Sequence, residues 1–412
     1  MQYALGWHIL LLSMTYFNPE IDVQNVLVQQ ILDALHSDVL LAVCSHTKKE
    51  QGSLFESKSY REGNCFKIEE NSLPDLYRIC QEVITALDFH EPIDFYLSGD
   101  SDINAHSFES EIEGEPDLIE INSALFNLMT EDELKFVIGH EIGHLINHDM
   151  LVKSLVNFAY PDEDTIPTYI SMRYRLLAHI SELAADRYGY LANHNLEACI
   201  SALYKLASGI DLQKLEVSIP ALIENNEQHI KFFLEENGEM FGDHPVNPLR
   251  VQALHVFSTS ESQEHVDQCV YDIFNCTSDK LCDDFAIRFA LSSGMLIAQV
   301  DGEVSKRELA VIAERIGSDS LFPEDHLKDL SDIDLEVMFE ESVTEMLDNY
   351  GLDARANMLR FVLKVMLADG TITEAEVEKA FQMGDKMHLT ANEIADLITE
   401  AMRSDYLPKM NV

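Results

Sequence analysis

A chain of 412 residues exceeds the size at which one hydrophobic core usually splits, so two or more domains are expected. Hydrophobic residues make up 46% and charged residues 25%, which is globular composition, and no apolar run approaches the roughly 18 residues of a spanning helix, which argues against membrane insertion. The net charge of −45, from 73 acidic and 28 basic residues spread without an acidic tail, disfavours nucleic acid and anionic membrane surfaces as partners and implies a heavily solvated surface.

Residues 4–17 form an apolar run too short to span a membrane and not preceded by Lys or Arg, which argues against a secretory signal; Met14 is an alternative start. Residues 20–46 read as helical and mostly apolar. Residues 46–64 are polar, carry two glycines and lack periodicity, so an exposed loop is expected there. Residues 1–73 thus read as an N-terminal helical and loop extension. A helix over 74–88, a strand over 93–98 and a second strand over 117–122 after a polar turn give the next region an α+β opening.

Thr130 and Glu133 have the spacing of a capping box, which starts a helix. Leu134, Val137, Ile138, Leu145 and Ile146 recur at helical spacing and predict a buried helix over roughly 131–150. A helix over 173–192 follows, then further helical segments to 237 and a Pro- and Gly-containing loop over 238–248. The seven cysteines include no C-x-x-C pair, which fits a reducing cytoplasm. Cys269, Cys276 and Cys282 match no common zinc-ribbon spacing.

The last third repeats itself. Asp301-Gly302-Glu303-Val304-Ser305 and Asp369-Gly370-Thr371-Ile372-Thr373, followed by Glu308 and Glu376, share one pattern at a separation of 68 residues. Each glycine suits the left-handed conformation that stops a helix, and Ser305/Glu308 and Thr373/Glu376 form capping boxes for the next. Capping explains these carboxylates without a metal, and the glycine spacing is not that of an EF-hand. The apolar periodicity breaks between about 260 and 282, which sets domains at 74–260 and 283–405.

His140-Glu141-Ile142-Gly143-His144 is H-E-x-x-H within the expected helix. One turn separates the histidines, so both imidazoles share a face and suit a single Zn²⁺, while Glu141 sits where it can take a proton from an activated water. Hydrolytic zinc sites use three protein ligands and an open position. Glu182, 38 residues after His144, supplies a carboxylate on a later helix. Asp186, one turn on, faces the same way and suits the free N–H of a ligating histidine. A third histidine in the H-E-x-x-H-x-x-G-x-x-H pattern is excluded because Asn147 and Met150 occupy the required positions. His148 reads as a neighbouring or helix-capping group.

With these residues assembled, the chain resembles the zinc metallopeptidases of the HtpX and CAAX prenyl protease family from about Tyr77 to Arg250. Asp102-Ile103-Asn104-Ala105, residues 119–122, the helix from Thr130 to His148, Glu182 with Asp186, and His244-Pro245 with Arg250 follow the family's order. The resemblance implies a gluzincin fold, mainly helical α+β with a small sheet beside the metal helix. It also implies one Zn²⁺ per chain on His140, His144 and Glu182, Glu141 as general base, and proteolysis of protein or peptide substrates. It places the loop of His244 over the metal, where His244 either donates to a developing oxyanion or approaches the open position, and Arg250 anchors the loop on a carboxylate such as Asp186. Strand 117–122 is expected to offer substrate an edge to pair with.

Many relatives have membrane helices flanking or interrupting this domain, whereas residues 150–180 here contain Lys153, Arg173, Arg175, two prolines and Asp162-Glu163-Asp164. A soluble, cytoplasmic member acting in quality control or stress is therefore expected. Residues 283–405 resemble TerB-like helical domains of the tellurite-resistance group, which implies an all-α regulatory or targeting domain that engages a protein partner. The alternative is a metal-containing chaperone or adaptor with little proteolytic activity.

Overall fold

The computed structural model describes residues 18–47, 52–110, 114–235, 244–278, 284–302, 304–319 and 334–404. The apolar run 4–17, Met14, Cys282, Glu303 and most of the expected loop 238–248 lie outside them. The fold is α+β and mainly helical, and the chain divides into two compact units. One comprises residues 1–166 and 174–273, the other 167–173 and 274–412.

The first unit opens with helices α1 (Asp22–Ala34), α2 (Ser37–Thr47) and α3 (Gly52–Asn64). The last of these replaces the loop expected over 46–64. Its inward face is polar, which is why apolar periodicity missed it: Arg61 ion-pairs with Glu120 and lies over the Phe108 ring, and Glu62 accepts from the Tyr96 hydroxyl. Strand β1 (Phe66–Lys67) and α4 (Pro74–Ala86) follow, then β2 (Ile93–Ser98), β3 (Ala105–Phe108) and β4 (Asp117–Asn122). The sheet order is β1-β2-β4-β3, with β2 and β4 parallel in the register Phe95 opposite Ile119, and the outer pairs antiparallel. Both edges of β4 are therefore occupied, contrary to the expected pairing of 117–122 with substrate. The free edge beyond β4 belongs to β3, a strand too short and polar for alternation to reveal.

Two further helices, α5 (Ser123–Leu128) and α6 (Glu131–Ile146), come next, and α6 packs on the sheet, on α4 and on α9 (Leu196–Ser208). Val83, Phe95, Ile121, Ile138, Ile142 and Ile200 are among the buried side chains of this core. The helix expected over 131–150 breaks after Ile146: His148 takes a left-handed φ of 54°, and α7 (Asp149–Ala159) starts in a new direction. Asn and His are among the non-glycine residues that tolerate this region best. The long helix α8 (Thr168–Asn193) has its first turn in the second unit and the remainder in the first. After α9, helices α10 (Ile219–Glu235), α11 (Asn247–Thr259) and α12 (Gln263–Ser278) follow. No single helix among the described residues is long and apolar enough to cross a membrane.

The second unit is helical, with α13 (Asp284–Ala298), α14 (Lys306–Asp319), α15 (Leu335–Asn349), α16 (Leu352–Leu367), α17 (Glu374–Lys386) and α18 (Ala391–Ser404). Phe289, Ile316, Phe339, Val362, Leu363 and Met383 contribute to a separate core. Gly302 and Gly370 adopt φ of 88° and 84°, and both capping boxes form: Glu308 N–H donates to Ser305 Oγ at 3.1 Å and Glu376 N–H to Thr373 Oγ1 at 3.2 Å.

Candidate metal centre

The site is built on α6. Its start is fixed by Thr130, whose N–H donates to Glu133 Oε2 at 2.6 Å while the Glu133 N–H donates back to Thr130 Oγ1 at 3.4 Å. Three turns later His140 and His144 project together, their rings edge to face at 4.7 Å between centroids, with Nε2 atoms 3.1 Å apart. Glycine brings α8 against this stretch: a Cβ on Gly139 would lie 2.6 Å from Ala192 Cβ, and one on Gly143 would lie 3.0 Å from Ala185 Cα and Tyr188 Cβ. The close approach delivers Glu182 to the histidines. One carboxylate oxygen stands 3.4 Å from His140 Nε2 and the other 3.5 Å from His144 Nε2.

Each imidazole is held from behind by a carboxylate. Asp186 Oδ1 lies 3.0 Å from His140 Nδ1, and Asp149 Oδ2 lies 2.8 Å from His144 Nδ1. An ionised carboxylate only accepts, so both Nδ1 atoms carry a proton, which leaves Nε2 of each ring as the atom that would ligate a metal. Arg250, near the start of α11, closes the rear of the site by donating from Nε to Asp186 Oδ2 at 2.8 Å and from Nη2 to Oδ1 at 2.6 Å. Arg250 Nη2 also approaches Glu182 Oε2 at 3.4 Å.

Burial by itself would lower both imidazoles, yet Asp186 and Glu182 raise His140, and Asp149 and Glu182 hold His144 well above the usual histidine value. Burial would raise Glu182 and Asp186, but the histidines and Arg250 hold Glu182 well below the carboxylate range, and Arg250 with His140 lowers Asp186. The buried cluster therefore keeps its carboxylates ionised.

The donor set fits a metal ion. Among the described residues, ligand atoms of His140, His144 and Glu182 lie within 4.8 Å of one another, and Glu182 Oε2 is buried without a hydrogen bond. Bonds of about 2.0–2.2 Å to a tetrahedral zinc require ligand–ligand separations of about 3.3–3.6 Å. The two Nε2 atoms are 3.1 Å apart, and each has a different Glu182 oxygen at 3.4 or 3.5 Å, so a small shift of the carboxylate would bring one oxygen to both. Two nitrogens and one carboxylate suit zinc better than calcium or magnesium, which take oxygen.

Glu141, the residue after His140, is buried on the same helix, near enough for its charge to raise His144 and Arg250. The structure thus brings together His140, Glu141, His144, Glu182, Asp186 and Arg250. His244 is 61% exposed, with Nε2 3.4 Å from Glu182 Oε1. His148 turns away and pairs with Glu109. Periodicity does not mark Asp149 as a site residue, because the helix expected over 131–150 runs through it. The signal for Asp149 was the Asn147-His148-Asp149 run, a breaker followed by a first-turn acid.

Comparison with known proteins relates part of the chain to metallopeptidases. Residues 70–161 match the model of peptidase family M48. The chain is 25% identical over 258 residues to the plastoglobule-localized metallopeptidase 48, chloroplastic, of Arabidopsis thaliana, covering 59% of this chain and 72% of that protein. It is 41% identical over 86 residues to the protease HtpX homolog of Thermoplasma volcanium, covering 21% of this chain and 27% of that protein, and 24% identical over 189 residues to that of Syntrophobacter fumaroxidans, covering 37% and 66%. No solved structure gives a significant match.

Proposed function

We propose that this chain, whose residues 70–161 match peptidase family M48, is a zinc-dependent endopeptidase of protein substrates. The observation that carries this reading is the convergence of two Nε2 atoms and the buried Glu182 carboxylate, whose Oε2 lacks a hydrogen bond, beside an intact Glu141. Bound zinc would supply Lewis acidity toward a scissile carbonyl and lower the pKa of the attacking water. His140, His144 and Glu182 would hold it.

Glu141 takes the proton of that water on a carboxylate oxygen and passes it to the departing amine nitrogen. His244 Nε2 donates to the oxygen that becomes negative at the former carbonyl, a role its exposed position beside Glu182 supports. Asp186 and Asp149 hold the two imidazoles in one tautomer. The free edge of β3, next to α6, suits an extended peptide that pairs through its backbone, which gives affinity with little sequence selectivity.

Composition supports a cytoplasmic protein with little affinity for nucleic acid. The second unit, with its own core and repeated capped corners, is read as a TerB-like regulatory or targeting domain of a peptidase that acts in quality control or stress.

The test is Glu141→Gln. Wild type should bind one zinc and cleave an unfolded protein, and the variant should keep the zinc and lose roughly 10²-fold or more of turnover. Undiminished cleavage by the variant would overturn the mechanism.

A further inference from the structure

The N-terminal helix α1 reaches the metal centre through one side chain. Gln24 is 6% exposed, and its Nε2 donates to Asp149 Oδ1 at 2.9 Å and lies within 3.2 Å of Ser181 Oγ. Ser181 itself donates to Asp149 Oδ1 at 2.8 Å. Asp149 Oδ2 receives the His144 Nδ1–H, and Ser181 immediately precedes Glu182. One amide therefore ties the carboxylate that orients the second histidine to the helix position next to the carboxylate ligand. An ionised Asp149 can only accept, so the amide nitrogen, not the oxygen, faces it.

The amide is held there by packing on both sides. Ile21, Leu27 and Ile31 anchor α1 in the first unit. The buried Arg187 on α8 donates to the carbonyls of Pro19 and Glu20 at 3.4 and 3.3 Å, which fixes the chain just before α1. These contacts set the position of Gln24 along the helix without touching the ligands.

We propose that Gln24 is a positioning residue of the metal centre: by fixing Asp149 it holds His144 in its ligating orientation, so that metal retention depends on the N-terminal segment. This rests on the zinc reading of His140, His144 and Glu182. Outer partners of ligating histidines typically contribute about 10–100-fold in metal affinity. Loss of Gln24, one step further out, should weaken zinc about 10-fold at the low end of that range.

The test uses full-length wild type, Gln24→Met, Gln24→Glu, Asp149→Ala and the Gln24→Met/Asp149→Ala double variant, titrated with zinc against a chelator. Visible spectra are recorded after loading with Co²⁺, which reports ligand geometry. Gln24→Met keeps the volume without a donor, and Gln24→Glu keeps the shape but cannot donate to Asp149 when ionised. Both should release zinc about 10-fold more readily and shift or weaken the Co²⁺ bands. In the Asp149→Ala background Gln24→Met should add nothing further, because its effect runs through Asp149. Wild-type affinity and spectra in whichever Gln24 variant is folded, or fully additive losses in the double variant, overturn the inference while leaving the zinc site standing. Wild type that takes up no zinc overturns the zinc reading and this inference with it.

Discussion

Replacing Arg250 by Met tests whether the rear of the metal centre is held by a buried ion pair. Arg250 and Asp186 are both buried, Asp186 to 1% exposure, and two short hydrogen bonds at 2.8 and 2.6 Å join them. Methionine fills part of the space but leaves Asp186 as a buried charge with the His140 hydrogen bond as its remaining side-chain hydrogen bond among the described residues. Breaking such a pair from one side costs about 3–5 kcal/mol, because the orphaned charge keeps its desolvation penalty. In a domain of this size each kcal/mol moves the melting temperature by about 2–4 °C, so a fall of about 6–20 °C is expected for the transition of the first unit.

The control is Arg360→Met in the second unit. Arg360 pairs with Glu400 at 3.0 Å, but both side chains are exposed, and such pairs contribute about 0–1 kcal/mol. The assay is thermal unfolding of chelated protein followed by circular dichroism. Arg250→Lys should fall between, keeping charge but losing the fork. An Arg250→Met transition within about 1 °C of wild type, indistinguishable from the Arg360 control, would refute the assignment of a buried, energetically coupled pair.

His244→Ala should lower turnover roughly 10²-fold with zinc content and melting unchanged, and raised cleavage instead would mean that the imidazole obstructs the site. Gly139→Ala forces a Cβ to within 2.6 Å of Ala192 and should cost about 1–3 kcal/mol by melting while weakening zinc, since α8 must move away from α6. Burial opposes ionisation of Glu133, but Lys205, Ser201 and the Thr130 N–H hold its pKa below the ordinary carboxylate value. Its stabilising contribution is thus complete above the unfolded-state pKa and lost as pH falls through the depressed folded value. The melting gap between wild type and Glu133→Gln should be constant near neutrality and close as pH drops below about 4.5. Thr373→Ala should cost about 1 kcal/mol by removing one half of a capping box, and an unchanged melt of the second unit would count against the cap.

What the sequence determined about this chain is local chemistry. H-E-x-x-H at helical spacing, Glu182 and Asp186 one turn apart, and the capped glycine corners depend on contacts within a few residues, so their geometry follows from backbone periodicity. Tertiary structure decided what periodicity cannot encode. The α3 helix forms because Arg61 and Glu62 find partners on distant strands, a polar face that hydrophobic patterning cannot see. The β3 strand owes its place to antiparallel pairing with β4, which leaves the free edge on Ala105–Phe108 rather than on 117–122. Asp149 and Gln24 come beside the histidines because His148 breaks the helix in a left-handed conformation and α1 packs beside α7. The ligands could be read because their spacing is short along one helix or repeats a known order, whereas the groups that orient them meet through space, where buried charges take whichever partner the packing brings within reach.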